Sequence, residues 1–280
     1  MLLSIIWGSS FILMKRGLIG LTPLQLGSLR IIFAGIFVLT IGFKSLKHPT
    51  LNHWKYIVLV STFSTLLPVY LFAFAQTKIS SSVSAILNSL TPINTLLFGV
   101  LFFHNLINKK QIIGVVLGFL GSLFLILENM LNHSNENNRY GLLVIICTCC
   151  YAIGVNLISN KLKELTPLSI ATSSFAVIIL PAFLILTYTS FWNVYASKAV
   201  LDSLPYVILL GIIGTGMANV LFFRLIQISS PVFASSVTYL VPIVAIVWGF
   251  FDGEYINWKQ FMGALIIFFG VYLSSKKDNK

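Results

Sequence analysis

Arg30 is the side chain in this sequence whose position is chemically the most demanding. It lies inside an apolar run, eight residues beyond Thr22, which is roughly 12 Å along a helix at 1.5 Å per residue. A charge at that depth costs at least about 2.5 kcal/mol on insertion scales. Gly27 and Ala34 share its face, so it is expected to point at a neighbouring helix and not at lipid. None of the seven acidic residues sits centrally in an apolar run, so no intramembrane ion pair is on offer. Two readings stay open: Arg30 bonds backbone carbonyls or snorkels, or it attracts an anionic group of a solute. Arg224, near a run's end, reads as a snorkelling anchor.

Neutral polar residues form the next signal. Ser84, Asn88, Thr91 and Thr95 recur at i, i+4, i+7 and i+11, one face of a helix. A second run answers with Ser235, Thr238, Tyr239 and Pro242. Such stripes line a watery cavity or make bonds between helices; lipid has no use for them. Trp7 and Ser10 share a face of the first run, and Tyr70, Tyr151, Asn156 and Asn219 are weaker candidates for the same cavity. Pro92 and Pro242 are expected inside helices, each leaving a carbonyl free to bend the chain or meet a ligand. Small residues at 61, 64, 65 and 68, matched at 211, 214, 215 and 218, are assigned to helix packing.

Catalytic and metal chemistry find little purchase. No HExxH or GxSxG occurs, and His48, His53, His104 and His133 fall between the apolar runs. Cys147, Cys149 and Cys150 cluster in one run near Thr148 and read as small buried hydrophobes. No catalytic residue, metal ligand or cofactor is therefore expected, and the chain is not expected to be an enzyme.

The elements that carry these residues are membrane spans. The chain is 57% hydrophobic and 9% charged, against about 25% charged in soluble domains. It divides into ten runs near 2–19, 23–43, 55–76, 80–103, 110–128, 140–160, 166–189, 203–225, 231–251 and 257–275, each near the length that crosses a bilayer. The first is read as a retained helix that begins abruptly, with a few upstream residues absent. The net charge of +11 concerns orientation and anionic lipid. With no basic patch interleaved with aromatics, nucleic acid is set aside.

The runs repeat. Residues 80–127 match 230–275: a shift of 150 carries Leu90 onto Leu240, Pro92 onto Pro242 and Gly99 onto Gly249. LTPL at 21–24 recurs at 165–168, a shift of 144. Repeats outrank other signals in reading a fold. The expected architecture is all-α and integral to the membrane: ten transmembrane helices as two inverted five-helix repeats. One repeat covers 1–128, an external linker 129–139, and the second repeat 140–280. Five spans per copy is an odd number, so the second copy enters from the opposite side. Lys and Arg divide eleven to six in favour of cytoplasmic termini.

WGSSFILMKRGL at 7–18, the arginine of LGSLR at Arg30, and twin Leu-x-Pro helices each followed by a polar turn and a Gly-rich helix resemble EamA-type members of the drug/metabolite transporter superfamily. The resemblance covers essentially the whole chain. It implies a ten-helix inner- or plasma-membrane carrier, an exporter or permease, of small metabolites such as amino acids or their derivatives. It further implies a central cavity lined by helices one, three, four, six, eight and nine, with five and ten at the periphery. A channel or an intramembrane enzyme is the alternative; substrate, direction, coupling ion and the question of a homodimer stay open.

Overall fold

In a computed structural model, residues 1–79, 81–106, 108–130, 138–251 and 258–275 are described. Among these residues the chain is helical apart from short connections. Much of the expected linker, the polar turn after residue 251 and the C-terminal residues lie outside them. We number the principal helices α1 (Leu2–Gly17), α2 (Pro23–Gly42), α3 (Leu51–Ala75), α4a (Ser81–Asn88) and α4b (Thr91–Phe103), then α5 (Lys109–Met130). They continue as α6 (Gly141–Lys161), α7 (Pro167–Tyr188), α8 (Lys198–Ile228), α9a (Pro231–Ser236) and α9b (Val241–Phe251), then α10 (Trp258–Ser275). A short helix, Phe191–Val194, interrupts the loop before α8. Among the described residues, five helices are long and apolar enough to cross a membrane: α2 with its 3-10 extension to Lys47, α3, α6, α7 and α8.

Local sequence explains the helix starts. Thr22 Oγ1 caps α2 by accepting from Gln25 N, and Thr22 N in turn donates to Gln25 Oε1 at 3.0 Å, a reciprocal capping box. Pro23 follows at the first helical position, where its missing N–H costs nothing. The repeated LTPL builds the same start on α7, with Thr166 accepting from Ser169 N.

Two features depart from the expected uninterrupted spans. The 80–103 run is broken at Ser89–Leu90 into α4a and α4b, and the 231–251 run by a 3-10 turn, Val237–Leu240, into α9a and α9b. Pro92 and Pro242 therefore sit in the first turn after each break, not mid-helix. No carbonyl is left waiting: Thr91 Oγ1 donates to Asn88 O at 2.7 Å. The second feature is a widened π-helical turn in α3, Thr62–Leu66, and another in α8, Ile212–Met217. Pro68 has no amide hydrogen for the Ser64 carbonyl and crowds it. The helix widens there, with Leu67 N–H reaching back to Thr62 O. In α8, Ala218 stands at the matching place. There the turn is loosened by Gly211, Gly214 and Gly216, and Thr215 Oγ1 donates to Leu210 O, five residues back, at 3.0 Å.

Contacts pair up across the two halves. α1 packs on α8 and α9b as α6 packs on α3 and α4b, while α2 packs on α7 and α5 on α10. The last pair is the closest. A Cβ on Gly270 would lie 2.5 Å from Gly118 N and 2.7 Å from Gly114 O, the small-residue approach that membrane helices use in place of a hydrophobic drive. Large apolar side chains such as Leu101, Leu120, Leu180, Leu184 and Phe269 point outward, as a lipid-facing surface requires.

Candidate functional site

The interrupted helices converge on a cavity of about 90 Å³ lined by α1, α3, α4a, α4b, α6, α8 and the 3-10 turn of α9, with Arg30 contributed by α2. Among the described residues, none of α5 or α10 lines it. The irregular backbone is what builds this wall. Ser64 and Thr65 come from the first π-turn, Gly214 and Thr215 from the second, Asn88 and Thr91 flank one break, and Thr238 lies in the other. Non-helical backbone at membrane depth is tolerated where it lines such a space.

The two repeat shifts organise the wall. Trp7 packs edge-on to Phe222 with ring centroids 5.0 Å apart, and Tyr151 stacks with Phe72 at 6.3 Å. Shifting Trp7 by 144 gives Tyr151, and shifting Phe72 by 150 gives Phe222, so the two ring pairs are copies. The same holds for a tighter contact. Ser10 closes against Gly214, where a Cβ would lie 2.8 Å from its hydroxyl, and Gly154 leaves room for the hydroxyl of Ser64. Under the same shifts Ser10 becomes Gly154 and Ser64 becomes Gly214. Serine and glycine have exchanged places, and each pair holds one of each.

Polar groups break this symmetry. Arg30 Nε donates to Thr215 Oγ1 at 2.6 Å. Asn219, one turn further along α8, donates through Nδ2 to Thr65 Oγ1 at 3.2 Å. Arg30 thus bonds a hydroxyl across the cavity wall, and among the described residues it bonds no carbonyl. Ser64 Oγ lacks a hydrogen-bond partner among the described residues.

Of the residues singled out in the sequence, Trp7, Ser10, Arg30, Asn88, Thr91, Tyr151, Asn219 and Thr238 come together on this wall. The others do not. The Tyr70 hydroxyl lies 2.9 Å from Ser28 Oγ, with its ring over Gly27. Ser84 and Ser235 are buried in helix contacts, and Ser235 Oγ donates to Val232 O at 2.9 Å. Tyr239 is fully buried, its hydroxyl 2.8 Å from Val115 O and its ring against Gly118. The single stripe from 84 to 95 fails because the helix breaks at 89–90, so Thr95 faces elsewhere.

Asn156 serves a different place. It donates to Thr95 O and accepts from Asn105 Nδ2, both at 2.9 Å. Both of these partners, Thr95 and Asn105, line a second recess of about 210 Å³ near the end of α4b, walled also by Gln111, Ser159 and Ser230. The residues missed were Ser64, Thr65, Gly214 and Thr215, first assigned to packing. Threonine at the same register in both copies, 65 and 215, was the signal that could have found them.

Comparison with known proteins bears on the family and the fold. The pattern of the EamA-like transporter family matches residues 1–127 and 139–276. An uncharacterized transporter of Archaeoglobus fulgidus is 21% identical over 97% of this chain and 95% of its own. The uncharacterized inner membrane transporter YedA of Escherichia coli K12 is 24% identical over 97% of this chain and 87% of its own. A solved crystal structure superposes with a TM-score of 0.73 at 14% identity, covering 97% of this chain and 94% of that one, a likeness of fold.

Proposed function

We propose that this chain, which belongs to the EamA-like transporter family, moves a small metabolite across the membrane by alternating access around the central cavity. The chain is a membrane transporter, and its family is one of transporters, not enzymes. The finer reading is a secondary carrier of small metabolites such as amino acids or their derivatives. It is built from ten spans as two inverted five-helix repeats, 1–128 and 140–280, joined by an external linker at 129–139. The membrane is an inner or plasma membrane, in keeping with the Escherichia coli relative named an inner membrane transporter, and the excess of Lys and Arg puts both termini on the cytoplasmic side.

The observation that carries this reading is the doubled wall: ring pairs and serine–glycine pairs that exchange under the repeat shifts surround one cavity. Two related halves around one site can rock about it and present it to either side in turn. The π-turns and helix breaks lie at that site, and such irregularities are frequent where helices do functional work.

Asn88→Trp tests the reading. The indole would fill the cavity between the halves, so solute movement in proteoliposomes should fall to background while insertion and detergent melting stay near wild type. Normal transport by a correctly inserted Asn88→Trp would remove the cavity from the route.

A further inference from the structure

We propose that the cavity is built for a monoanionic organic solute, its anionic group held by the free edge of Arg30 and its apolar body lodged between the ring pairs. This rests on the carrier reading above and names the class of substrate.

The argument starts from the guanidinium. Arginine stays protonated in proteins and presents five N–H donors in a fixed fork. One of them, on Nε, is used by Thr215; among the described residues it is the one hydrogen bond that Arg30 makes. The terminal nitrogens carry the other four, in the bidentate geometry that suits a carboxylate or another oxyanion. No carboxylate lines the cavity among the described residues. The seven acidic residues of the chain all lie outside the apolar runs or at their ends. A bare cation in a low-dielectric wall is expensive unless something neutralises it. A monoanion does so. A zwitterion would leave the site at plus one and give its ammonium only neutral acceptors and ring faces; a dianion would leave it at minus one.

The broken symmetry fixes how such a solute lies. The repeat shift puts Ser174 where the first half has Arg30, Val69 where the second has Asn219, and Val241 where the first has Thr91. The rings are doubled, and so is the threonine at 65 and 215, but Arg30, Asn219 and Thr91 have no polar counterpart of their kind. Arg30, Thr215 and Asn219 form one polar edge, with Asn219 one turn of α8 from Thr215. Asn219 Nδ2 is occupied by Thr65, which leaves its oxygen to accept from a neutral N–H or O–H near the anionic group. Among amino-acid-like solutes, the fit is to derivatives whose amine is blocked.

Direction follows from the charge. A cell interior negative by 100 mV pushes a monoanion outward to a concentration ratio of about 50-fold. Export then needs no coupled ion.

The full chain in proteoliposomes decides the matter. The panel is the N-acetylated acid, the free amino acid and the N-acetylated amide of glycine, valine, leucine and phenylalanine. This gives a monoanion, a zwitterion and a neutral form of each body. Counterflow and shifts in detergent melting are read for every member. At least one N-acetyl acid should move faster than its free and amide forms by about 10-fold or more, the range of a charge-assisted hydrogen bond. A potassium–valinomycin potential, negative inside, should drive it out of the lumen. Arg30→Lys should keep the preference and Arg30→Gln lose it. Because the wild-type preference decides alone, a misfolded Arg30 variant does not blunt the test. Equal handling of the three forms, preference for the zwitterion, or no movement and no stabilisation by any N-acetyl acid would each overturn the proposal. If a zwitterion or amide moves and Asn88→Trp stops it, the carrier reading stands while the anion proposal falls. If an N-acetyl acid moves and Asn88→Trp leaves it untouched, the central-cavity reading falls.

Discussion

Tyr239 shows what a polar residue in an apolar run can be for. Its hydroxyl reaches across to the Val115 carbonyl and its ring fills the space that Gly118 leaves open, so it braces the 3-10 turn of α9 against α5. Tyr239→Phe should cost about 1 kcal/mol, lowering Tm in detergent by about 2–4 °C while the transport KM stays unchanged. A several-fold change in KM with Tm unmoved would put this tyrosine in contact with the solute. The same ambiguity explains which site residues were legible. A hydroxyl or amide facing lipid is costly, so Trp7, Ser10, Asn88 and Tyr151 could be marked as facing inward. Whether such a group meets a cavity or a packed helix contact depends on packing, which separates Asn88 from the buried Ser84 and Asn219 from Asn156. Arg30 was conspicuous by charge alone; its partner Thr215 was hidden because threonine in a glycine-rich run reads as a packing residue.

Among the elements, the π-turns of α3 and α8 present Ser64, Thr65, Gly214 and Thr215 to the cavity. In α3 the cause is a single proline. Pro68→Ala removes a residue that disfavours a helix interior by about 3 kcal/mol, so the widened turn loses its reason to persist. Melting temperature should hold or rise, and transport should fall severalfold or more as Ser64 and Thr65 turn away from the wall. Unchanged transport with unchanged melting would mean that the π-turn does not shape the site. Helix positions and the repeat could be read from apolar runs and recurring LTPL and Leu-x-Pro. The interruptions could not, because a proline at the second position of a helix and one in its interior look alike in sequence. Only the hydroxyl of Thr91 on the Asn88 carbonyl, a contact made in three dimensions, separates the two cases.

At the scale of the molecule, the bonds that join the halves include two sets at different places on the bundle, besides those at the cavity wall. One set joins Gly20 N to Ser203 Oγ at 3.1 Å and Gln25 Nε2 to the Thr189 carbonyl at 3.2 Å. The other joins Gln111 Nε2 to Ser230 Oγ at 3.1 Å and Asn105 Nδ2 to Asn156 Oδ1 at 2.9 Å. Alternating access requires each set to open while the other holds, with the cavity between them. Thr238, in the turn between α9a and α9b, is the place to watch this. Thr238→Cys would be made in a chain lacking Cys147, Cys149 and Cys150, with a cysteine at Asn279 in a parallel chain to report orientation. Both would be exposed to a membrane-impermeant maleimide in right-side-out and inside-out vesicles. The account predicts that Cys at 279 reacts in inside-out vesicles alone, whereas Cys at 238 reacts from both sides and is protected by transported solute. Reaction at 238 from one side only, in vesicles that transport, would contradict alternating access around this cavity.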